Sequence, residues 1–348
     1  MHTMQLASLR EAKFRATKFW LLGFAVFFLA STSTPAIAAN PAVKIAVIYD
    51  VGGRGDKSFD DAAALGIDLA KKKYGLTPFN LRELVTVGTE FDRENRLEFL
   101  VKAGYKTIIA VGASFHGAVA YMAQKYPESQ FAIIGDSSLG YLNVSSLDFA
   151  HGQGSFLAGV LAAKSSKSGK IAYLGDSGDA TNLIDQSNFI AGARYASAKT
   201  IVFTKQANAG LNLEVSALVK QGADVIYSTW SRNGEVLSQV AALNTSKHTV
   251  KLIGVSPDQF FLTSKAAQKC VIGYVVKRFD IAATDLISGA VADQSIMDEI
   301  DASAGVYGRI YTLTNGLELK ITSASQAAKL SVSQARAALI SKKIKSEK

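Results

Sequence analysis

Cysteine and histidine are rare in this chain of 348 residues, which contains one cysteine, Cys270, and four histidines. A lone cysteine cannot form an intrachain disulfide, and the sequence has no Cys/His cluster of the kind that binds structural zinc. Cys270 stands in an apolar stretch typical of a buried strand, so we interpret it as a small core residue. The fold is therefore expected to depend on its hydrophobic core, with no metal and no other cofactor.

Sequence motifs of common enzymes are also missing. There is no Gly-x-Ser-x-Gly elbow around a nucleophilic serine, no metal-ligand spacing and no Gly-x-x-x-x-Gly-Lys-Ser/Thr phosphate loop. Asp50 and His116 can be drawn as an acid/base pair, but four histidines in total offer few further partners. Catalysis is therefore the less favoured hypothesis.

Basic and aromatic residues are not interleaved, although the formal net charge is +9. Part of that charge stands near the C-terminus, where Lys342, Lys343, Lys345 and Lys348 cluster. A basic tail of this kind is usually a solvated helix end, whereas nucleic-acid surfaces combine basic residues with aromatic ones. Nucleic-acid binding is therefore not expected.

The first 39 residues are typical of an export signal. Lys13, Arg15 and Lys18 precede the apolar run Phe19–Ala30, and Ala36-Ile37-Ala38 places small residues where a signal peptidase requires them. The apolar run is short for a membrane span, which needs roughly 20 apolar residues. We predict a signal peptide over residues 1–39 and a soluble mature protein; an uncleaved N-terminal anchor is the alternative.

Short β-branched runs alternate with amphipathic segments from Val43 onward. Apolar runs of about five residues are typical of strands buried on both faces of a parallel sheet. The predicted strands are Val43–Tyr49, Thr107–Val111, Phe131–Gly135, Lys170–Leu174, Thr200–Phe203, Val225–Ser228, Lys251–Val255 and Val271–Val276. The predicted helices are Phe59–Tyr74, Arg93–Ala103, Gly117–Tyr126, Gln153–Ala163, Asn182–Ala196, Leu211–Gln221 and Gly234–Leu243.

This alternation predicts an α/β fold with two doubly wound, Rossmann-like lobes, a hinge and a cleft between the lobes. The N-terminal lobe is expected to comprise residues 40–149 and 278–303, and the C-terminal lobe residues 150–277 and 304–348. Near the C-terminus, Tyr307–Leu313 and Leu317–Ile321 flank Asn315-Gly316, which predicts a β-hairpin. Because ligands of open α/β sheets bind beyond the carboxyl ends of the strands, functional residues are expected in the loops after strands.

The segment YDVGGRGDKSFDD, residues 49–61, is the most informative of these loops. A strand ends at Asp50, three glycines follow, and Ser58 or Asp60 can cap the next helix. Phe59 begins that helix beyond the end of the strand and can therefore face the cleft. The alternative is that Phe59 only packs against its own helix.

YDVGGRGDKSF resembles the opening signature of the basic membrane protein family, the substrate-binding proteins of ABC importers that include purine-nucleoside receptors. Other segments resemble the family in the same order: GASFHGAVAYMAQKYPESQFAIIGD, FAHGQGSFLAGVLAA, GADVIYSTWSRNGEVL, IGVSPDQ and YVVKRFDIAATDLI. The resemblance implies a type I periplasmic binding protein fold that closes on a small molecule. It also implies a monomeric periplasmic receptor without catalytic activity that delivers its ligand to the permease and ATPase subunits of an importer.

The resemblance further implies how the site is built. Phe59 would lie against a nucleobase, and Lys277 matches a lysine that reaches sugar hydroxyls in nucleoside receptors. Asp50 matches the strand-end aspartate of the family, and Ser58 and Asp60 flank the aromatic ring. These five residues are the first predicted ligand contacts.

Three departures from the family pattern bear on ligand identity. His116 and Gly117 stand where the family commonly has an acid, and Gly-Val-Ser-Pro-Asp-Gln keeps only the second aspartate, Asp258. Trp230 follows a strand where many members have small residues. We predict His116, Trp230 and Asp258 as further ligand contacts. The alternatives are that His116 is a pH-sensitive gate or a helix cap and that Trp230 packs between the lobes.

A nucleoside is the first expectation for the ligand, followed by a flavin or another heteroaromatic molecule and then a sugar. Two other functions stay open. One is a ligand-sensing receptor for a membrane signalling partner, and the other is a nucleoside-processing enzyme. An importer and a sensor would both recognise the closed form of the same two lobes.

Overall fold

The computed structural model describes residues 43–177, 181–207, 211–230, 232–245, 249–255, 263–292, 300–301 and 306–346. The strands are β1 (Ile45–Tyr49), β2 (Leu81–Val85), β3 (Thr107–Val111), β4 (Gln130–Ile134), β5 (Val144–Phe149), β6 (Lys170–Asp176), β7 (Ile201–Ala207), β8 (Val225–Ser228), β9 (Lys251–Val255), β10 (Val271–Lys277), β11 (Ile300–Asp301), β12 (Val306–Tyr311) and β13 (Leu317–Ile321). The helices are α1 (Phe59–Tyr74), α2 (Glu90–Lys102), α3 (His116–Lys125), α4 (His151–Ser165), α5 (Asn182–Ala196), α6 (Leu211–Lys220), α7 (Asn233–Leu243), α8 (Lys265–Gln268), α9 (Phe279–Val291) and α10 (Gln326–Ile340).

The strands form two sheets. The first has the order β11-β12-β5-β4-β3-β1-β2, and the second has the order β13-β10-β9-β8-β6-β7. Neighbouring strands are parallel except for two antiparallel pairs, β11 with β12 and β10 with β13. Helices connect the parallel strands, as parallel pairing requires. The predicted fold class, two α/β sheets of mostly parallel strands, is confirmed.

All eight predicted strands and all seven predicted helices are present, with bounds that differ by a few residues. Three strands of the first sheet, β2, β5 and the two-residue β11, were not predicted. β2 (LRELV) is an edge strand whose side chains are mostly partly exposed, so its sequence carries no apolar run. β5 (VSSLDF) is fully buried but contains two serines and an aspartate.

The predicted C-terminal hairpin is wrong. β12 pairs in parallel with β5 of the first sheet, and β13 pairs antiparallel with β10 of the second. Asn315-Gly316 does turn the chain, and the Asn315 side chain accepts a hydrogen bond from the backbone of Thr312 at 2.6 Å. The turn leads from one sheet to the other because each strand finds its hydrogen-bonding partner at a different sheet edge.

Within the described residues, the chain passes between the two sheets at three places. It leaves the first sheet after β5 and enters α4, returns from β10 into α9, and leaves again between β12 and β13. The backbone amide of Ala150 donates to Tyr311 O at 2.8 Å, and that of Arg278 donates to Gly316 O at 2.9 Å, so the crossings lie side by side. β12 thus belongs to the first sheet although residues 304–348 were assigned to the C-terminal lobe; the lobe boundaries themselves stay a prediction.

Glycines allow α4 and α5 to pack closely behind the second sheet. A Cβ atom on Gly159 would lie 2.1 Å from the carbonyl oxygen of Phe189, and one on Gly192 would lie 1.9 Å from that of Phe156. Both distances are far inside van der Waals contact, so the backbones could not approach this closely with any larger residue. This packing gives the Gly-Ser-Phe-Leu-Ala-Gly run at residues 154–159 a structural role and fixes the direction of α4.

The predicted signal peptide, residues 1–39, lies outside the described residues. Among the helices that the structure describes, none has the length and the apolar character needed to cross a membrane.

Candidate functional site

A pocket lies at the carboxyl ends of the strands of the second sheet, where an α/β fold places its ligand site. Two of its lining residues begin helices: Phe59 starts α1 and His151 starts α4. The pocket contains about 90 Å³ of space that the centre of a water molecule can reach. One water needs roughly 10–15 Å³ by this measure, so the space suits a group of several heavy atoms. The second sheet contributes residues at or just after strand ends: Asp176, Thr229, Val255 and Lys277.

The aromatic wall of the pocket is the outermost ring of a four-membered stack. Phe59 stacks on Phe279 with ring centroids 4.8 Å apart, Phe279 stacks on Phe149 at 5.1 Å, and Phe149 stacks on Tyr311 at 5.4 Å. Phe279, Phe149 and Tyr311 are buried in the core, whereas Phe59 is partly exposed. The stack therefore covers one face of the Phe59 ring and holds the ring in place at the pocket.

The polar wall of the pocket contains a buried histidine between two carboxylates and a lysine. His151 Nε2 lies 3.2 Å from Asp148 Oδ1, and His151 Nδ1 lies 3.6 Å from Asp185 Oδ2. The Lys277 ammonium lies 3.1 Å from Nδ1 and 3.4 Å from Nε2 of the same ring. It also lies 5.8 Å from the centroid of the Phe59 ring, so the aromatic and cationic groups face one pocket.

Electrostatics favour a charged His151. Burial of the ring and the nearby Lys277 charge lower the pKa of His151, but the hydrogen bond to Asp148 and the ion pair with Asp185 outweigh both effects and raise the pKa to about 9. Burial opposes ionisation of the two carboxyl groups, yet hydrogen bonding to His151 lowers the pKa of Asp148 and of Asp185. Near neutral pH the cluster therefore contains two carboxylates and two cations.

Neighbouring hydroxyl groups fix the position of Asp185. The Ser155 hydroxyl donates a hydrogen bond to Asp185 and lies 3.0 Å from the Tyr227 hydroxyl. Ser155 and Asp185 are buried on α4 and α5, the helix pair that glycines hold close together. The close helix packing thus sets the geometry of the carboxylate that faces His151.

Two predicted contacts, Asp50 and Ser58, precede Phe59 in the loop after β1, and a third, Asp60, follows Phe59 in α1. Asp50 accepts hydrogen bonds from Arg93 at 2.9 Å and from the Ser114 hydroxyl at 2.6 Å, so its carboxylate is already engaged. Ser58 is the N-cap of α1, and its hydroxyl accepts from the Asp60 amide at 3.2 Å. Burial and nearby negative charge raise the pKa of Asp60 to about 7. None of these three is among the described residues that line the pocket.

The remaining predicted contacts are spread more widely. His116 begins α3, is half exposed, and lies with Nδ1 2.7 Å from Asp136 Oδ2. Trp230 is 5% exposed and packs in a core cluster of the second sheet and its helices. Asp258 lies outside the described residues. The structure thus brings Phe59 and Lys277 together at the pocket, and it does not place His116 or Trp230 there.

Several pocket residues were not predicted from the sequence. His151 begins the helix after β5, and Asp176 and Thr229 stand at the ends of β6 and β8. The signal that could have identified them was present, since each polar residue follows a strand at the edge where ligands bind. Asp185 and Tyr227 gave no such signal, because they stand inside a helix and a strand.

The model of the Bmp family, described as ABC transporter substrate-binding protein PnrA-like, matches residues 42–332. The chain belongs to the Bmp family. The ABC transporter nucleoside-binding protein BmpA of Lactococcus lactis is 26% identical over 318 residues, which are 87% of this chain and 88% of the relative.

Solved structures show the fold of this Bmp family member. An ABC transporter solute-binding protein from Aeropyrum pernix has a TM-score of 0.68 and 20% identity, with 87% of this chain and 92% of that chain covered. The arabinose-binding protein AraP from Geobacillus stearothermophilus has a TM-score of 0.63 and 14% identity, with 80% and 97% covered. The expected type I periplasmic binding protein fold is thus confirmed.

Proposed function

We propose that this Bmp family protein is the extracytoplasmic receptor of an ABC importer and binds a nucleoside, or a similar heteroaromatic molecule with hydroxyl groups. The observation that carries the proposal is the placement of the Phe59 ring and the Lys277 ammonium on one pocket, 5.8 Å apart. A flat ring against Phe59 leaves a hydroxyl-bearing group within reach of the ammonium. The L. lactis relative, named as a nucleoside-binding protein, supports the same ligand class.

The strength of such contacts is sufficient for a transport receptor. A base stacked on an aromatic side chain contributes roughly 1–3 kcal/mol, and a hydrogen bond from a charged donor contributes about 1.5–3 kcal/mol. Micromolar affinity corresponds to about 8 kcal/mol of binding free energy. One stacking contact and a few charge-assisted hydrogen bonds in a closed pocket therefore account for useful affinity without any chemical step.

Closure around the ligand would provide the signal to the membrane partner. Phe59 belongs to the first sheet through α1, whereas Lys277 ends a strand of the second. A ligand that contacts both is bound more tightly when the two sheets come together, and only such a difference in affinity can shift an open form toward a closed one. The permease subunits would recognise the closed form, and the ATPase subunits would drive transport.

The other predicted contacts form part of the proposal. Asp60 and Ser58 flank Phe59, and Asp50 follows β1 at the start of this loop. His116 and Asp258 are proposed to contact the ligand from neighbouring loops. Residues 1–39 are proposed to direct export, so that the mature protein acts outside the cytoplasm as a monomer.

Ligand identification tests the proposal directly. Native mass spectrometry of protein purified without denaturation should show one small molecule bound, and thermal melts should be measured with adenosine, uridine, riboflavin and arabinose. A ligand at 100 times its Kd stabilises the folded state by about 2.7 kcal/mol, which raises Tm by several degrees. Unchanged melts across the whole panel would contradict binding in this pocket.

Two controls separate the proposal from its alternatives. Adenosine recovered as free adenine after incubation would favour a nucleoside-processing enzyme instead of a receptor. Normal nucleoside uptake by cells that lack the gene would favour a ligand-sensing receptor for a membrane signalling partner. Unaltered ligand and impaired uptake are the results expected for an importer receptor.

A further inference from the structure

The contact between Lys277 and His151 depends on the protonation of the histidine. An ammonium group can only donate hydrogen bonds, and a neutral imidazole has one ring nitrogen that accepts. Lys277 Nζ lies 3.1 Å from His151 Nδ1 and 3.4 Å from His151 Nε2, so the ammonium faces the ring beside both nitrogens. An imidazolium has N–H groups at both positions and a positive charge, so protonation of His151 removes any acceptor and places a second cation beside the ammonium.

The surroundings of His151 favour that protonation. Asp148 on β5 and Asp185 on α5 face the two ring nitrogens, Lys277 on β10 opposes them, and Tyr227 on β8 contacts the Ser155 hydroxyl that binds Asp185. Asp176 at the end of β6 lines the same pocket. The balance raises the pKa of His151 to about 9.

No carboxylate pairs with the Lys277 ammonium among the described residues, and its polar contacts are those with His151. A charged His151 occupies Asp148 and Asp185 with its own N–H groups. The ammonium is then left beside a second cation, with the open pocket and the Phe59 ring on its other side. When the Lys277 ammonium moves away from the His151 ring, it moves into the pocket, toward a bound ligand.

We propose that His151 is a positioning residue for Lys277: the protonated ring directs the ammonium into the pocket toward a ligand hydroxyl, and the neutral ring holds the ammonium back. The inference rests on the proposed function, because it concerns the ligand-binding step of the same pocket. It assigns to His151 a role in affinity that acts through the position of the Lys277 ammonium.

The first test is the pH dependence of adenosine binding, measured by calorimetry at pH 7 and pH 10. At one pH unit above the midpoint of His151, about one tenth of the protein has the protonated ring, so the affinity of the wild type should fall about tenfold. At pH 9, adenosine binding should take up about half a proton per ligand, seen as a dependence of the measured heat on the ionisation enthalpy of the buffer.

The matched variant is His151→Gln, whose amide carries no charge at any pH and can still donate a hydrogen bond to Asp148. This variant should bind adenosine about tenfold more weakly than the wild type at pH 7. It should also take up no proton on binding at pH 9 and lack the tenfold fall in affinity that the wild type shows between pH 7 and pH 10. Any other group that titrates between pH 7 and pH 10 affects both proteins, so the difference between them isolates His151. A variant that keeps the pH slope and proton uptake of the wild type would overturn the proposal.

A second measurement needs no ligand and no His151 variant. Histidine-labelled protein is titrated by NMR, with the His151 signal assigned by elimination using His116→Gln and His248→Gln. Lys277→Met should raise the midpoint of His151 by about one pH unit or more, because it removes a neighbouring cation. An unchanged or lower midpoint would overturn the coupling. A raised midpoint in a protein that does not bind adenosine would instead contradict the nucleoside proposal and leave the coupling in place.

Discussion

Phe59 is the residue whose removal tests the pocket most sharply. Phe59→Ala deletes the ring that would stack on the ligand, and a base–aromatic stack contributes roughly 1–3 kcal/mol, equivalent to about 5- to 150-fold in affinity. We expect adenosine binding to weaken at least tenfold. The fold should persist, because the inner rings Phe279, Phe149 and Tyr311 still stack on one another after Phe59 is shortened.

The stability cost of this variant can be bounded from its burial. Truncation of a fully buried phenylalanine to alanine costs about 3–5 kcal/mol, and Phe59 is only partly buried. We therefore expect a smaller loss in the free energy of unfolding than that range. Urea unfolding at pH 7 gives this quantity, and it allows a loss of binding to be separated from a loss of folded protein.

Calorimetry with adenosine is the assay, and two variants serve as controls. Phe59→Tyr keeps an aromatic ring in the same place and should bind within about threefold of the wild type. Phe91→Ala removes a ring of the same size that is 74% exposed on α2 and does not line the pocket, so it should leave the affinity unchanged. Equal affinities for Phe59→Ala and the wild type would remove Phe59 from the binding site and refute the stacking argument.

Three further predictions concern the polar wall, an acid beside Phe59 and the helix packing. Lys277→Ala should weaken adenosine binding by about tenfold or more and adenine binding little, measured by calorimetry; equal losses would exclude a contact with the sugar. The pKa of Asp60 is raised to about 7 in the folded state, so Asp60 binds its proton more tightly in the folded form than in the unfolded form. The stability that this protonation contributes is therefore lost as the pH rises from about 4 to 7. Asp60→Asn should therefore reduce the fall in Tm over this range in scanning calorimetry, and an identical fall would contradict the burial of charge. Gly159→Ala forces a Cβ atom toward the Phe189 carbonyl oxygen and should lower the free energy of unfolding by about 1–3 kcal/mol or more, measured with urea. Gly289→Ala, in open space on α9, is the control and should be neutral or stabilising. Similar effects of the two substitutions would contradict the close helix contact.

The fold could be predicted from the sequence where burial and apolar composition coincide. β1 and β3 are fully buried apolar runs, and both were found with nearly the correct bounds. β5 is equally buried, but its polar side chains are satisfied by specific partners: Ser146 donates to Leu139 O at 3.4 Å, and Asp148 pairs with His151. A pattern search for apolar runs cannot identify a buried strand whose polar groups are paired with distant residues.

Edge position explains the second missed strand. β2 is bonded only to β1 within the first sheet, and Glu83 on β2 accepts a hydrogen bond from Tyr49 at 2.6 Å and from Arg54 at 2.8 Å. Charged residues protect an exposed edge from pairing with other chains, and they also remove the apolar signal. The hairpin prediction for β12 and β13 failed for a related reason. A turn sequence shows where the chain reverses direction, but the open edges of the sheets determine which strands pair.

For the site, the sequence identified the two residues that face each other across the pocket but not the groups that control them. Phe59 and Lys277 stand out because each follows a strand and matches a family segment. His151 also follows a strand, but its meaning depends on Asp148 and Asp185, which reach it from β5 and from α5. A charge cluster assembled from separate elements has no signature in a single segment of the sequence.

Under the proposed function, the crossings between the sheets would allow the pocket to report its occupancy. Each crossing places one aromatic residue in the stack behind Phe59 and one residue in the pocket wall. The aromatic residues are Phe149, Phe279 and Tyr311, and the pocket residues are His151, Lys277 and Leu317. A ligand held between Phe59 and Lys277 would lie beside the segments that join the sheets, and we expect binding to restrain how the sheets move relative to each other. A site confined to one sheet would bind its ligand without changing that relation, and a membrane partner would have no difference to recognise.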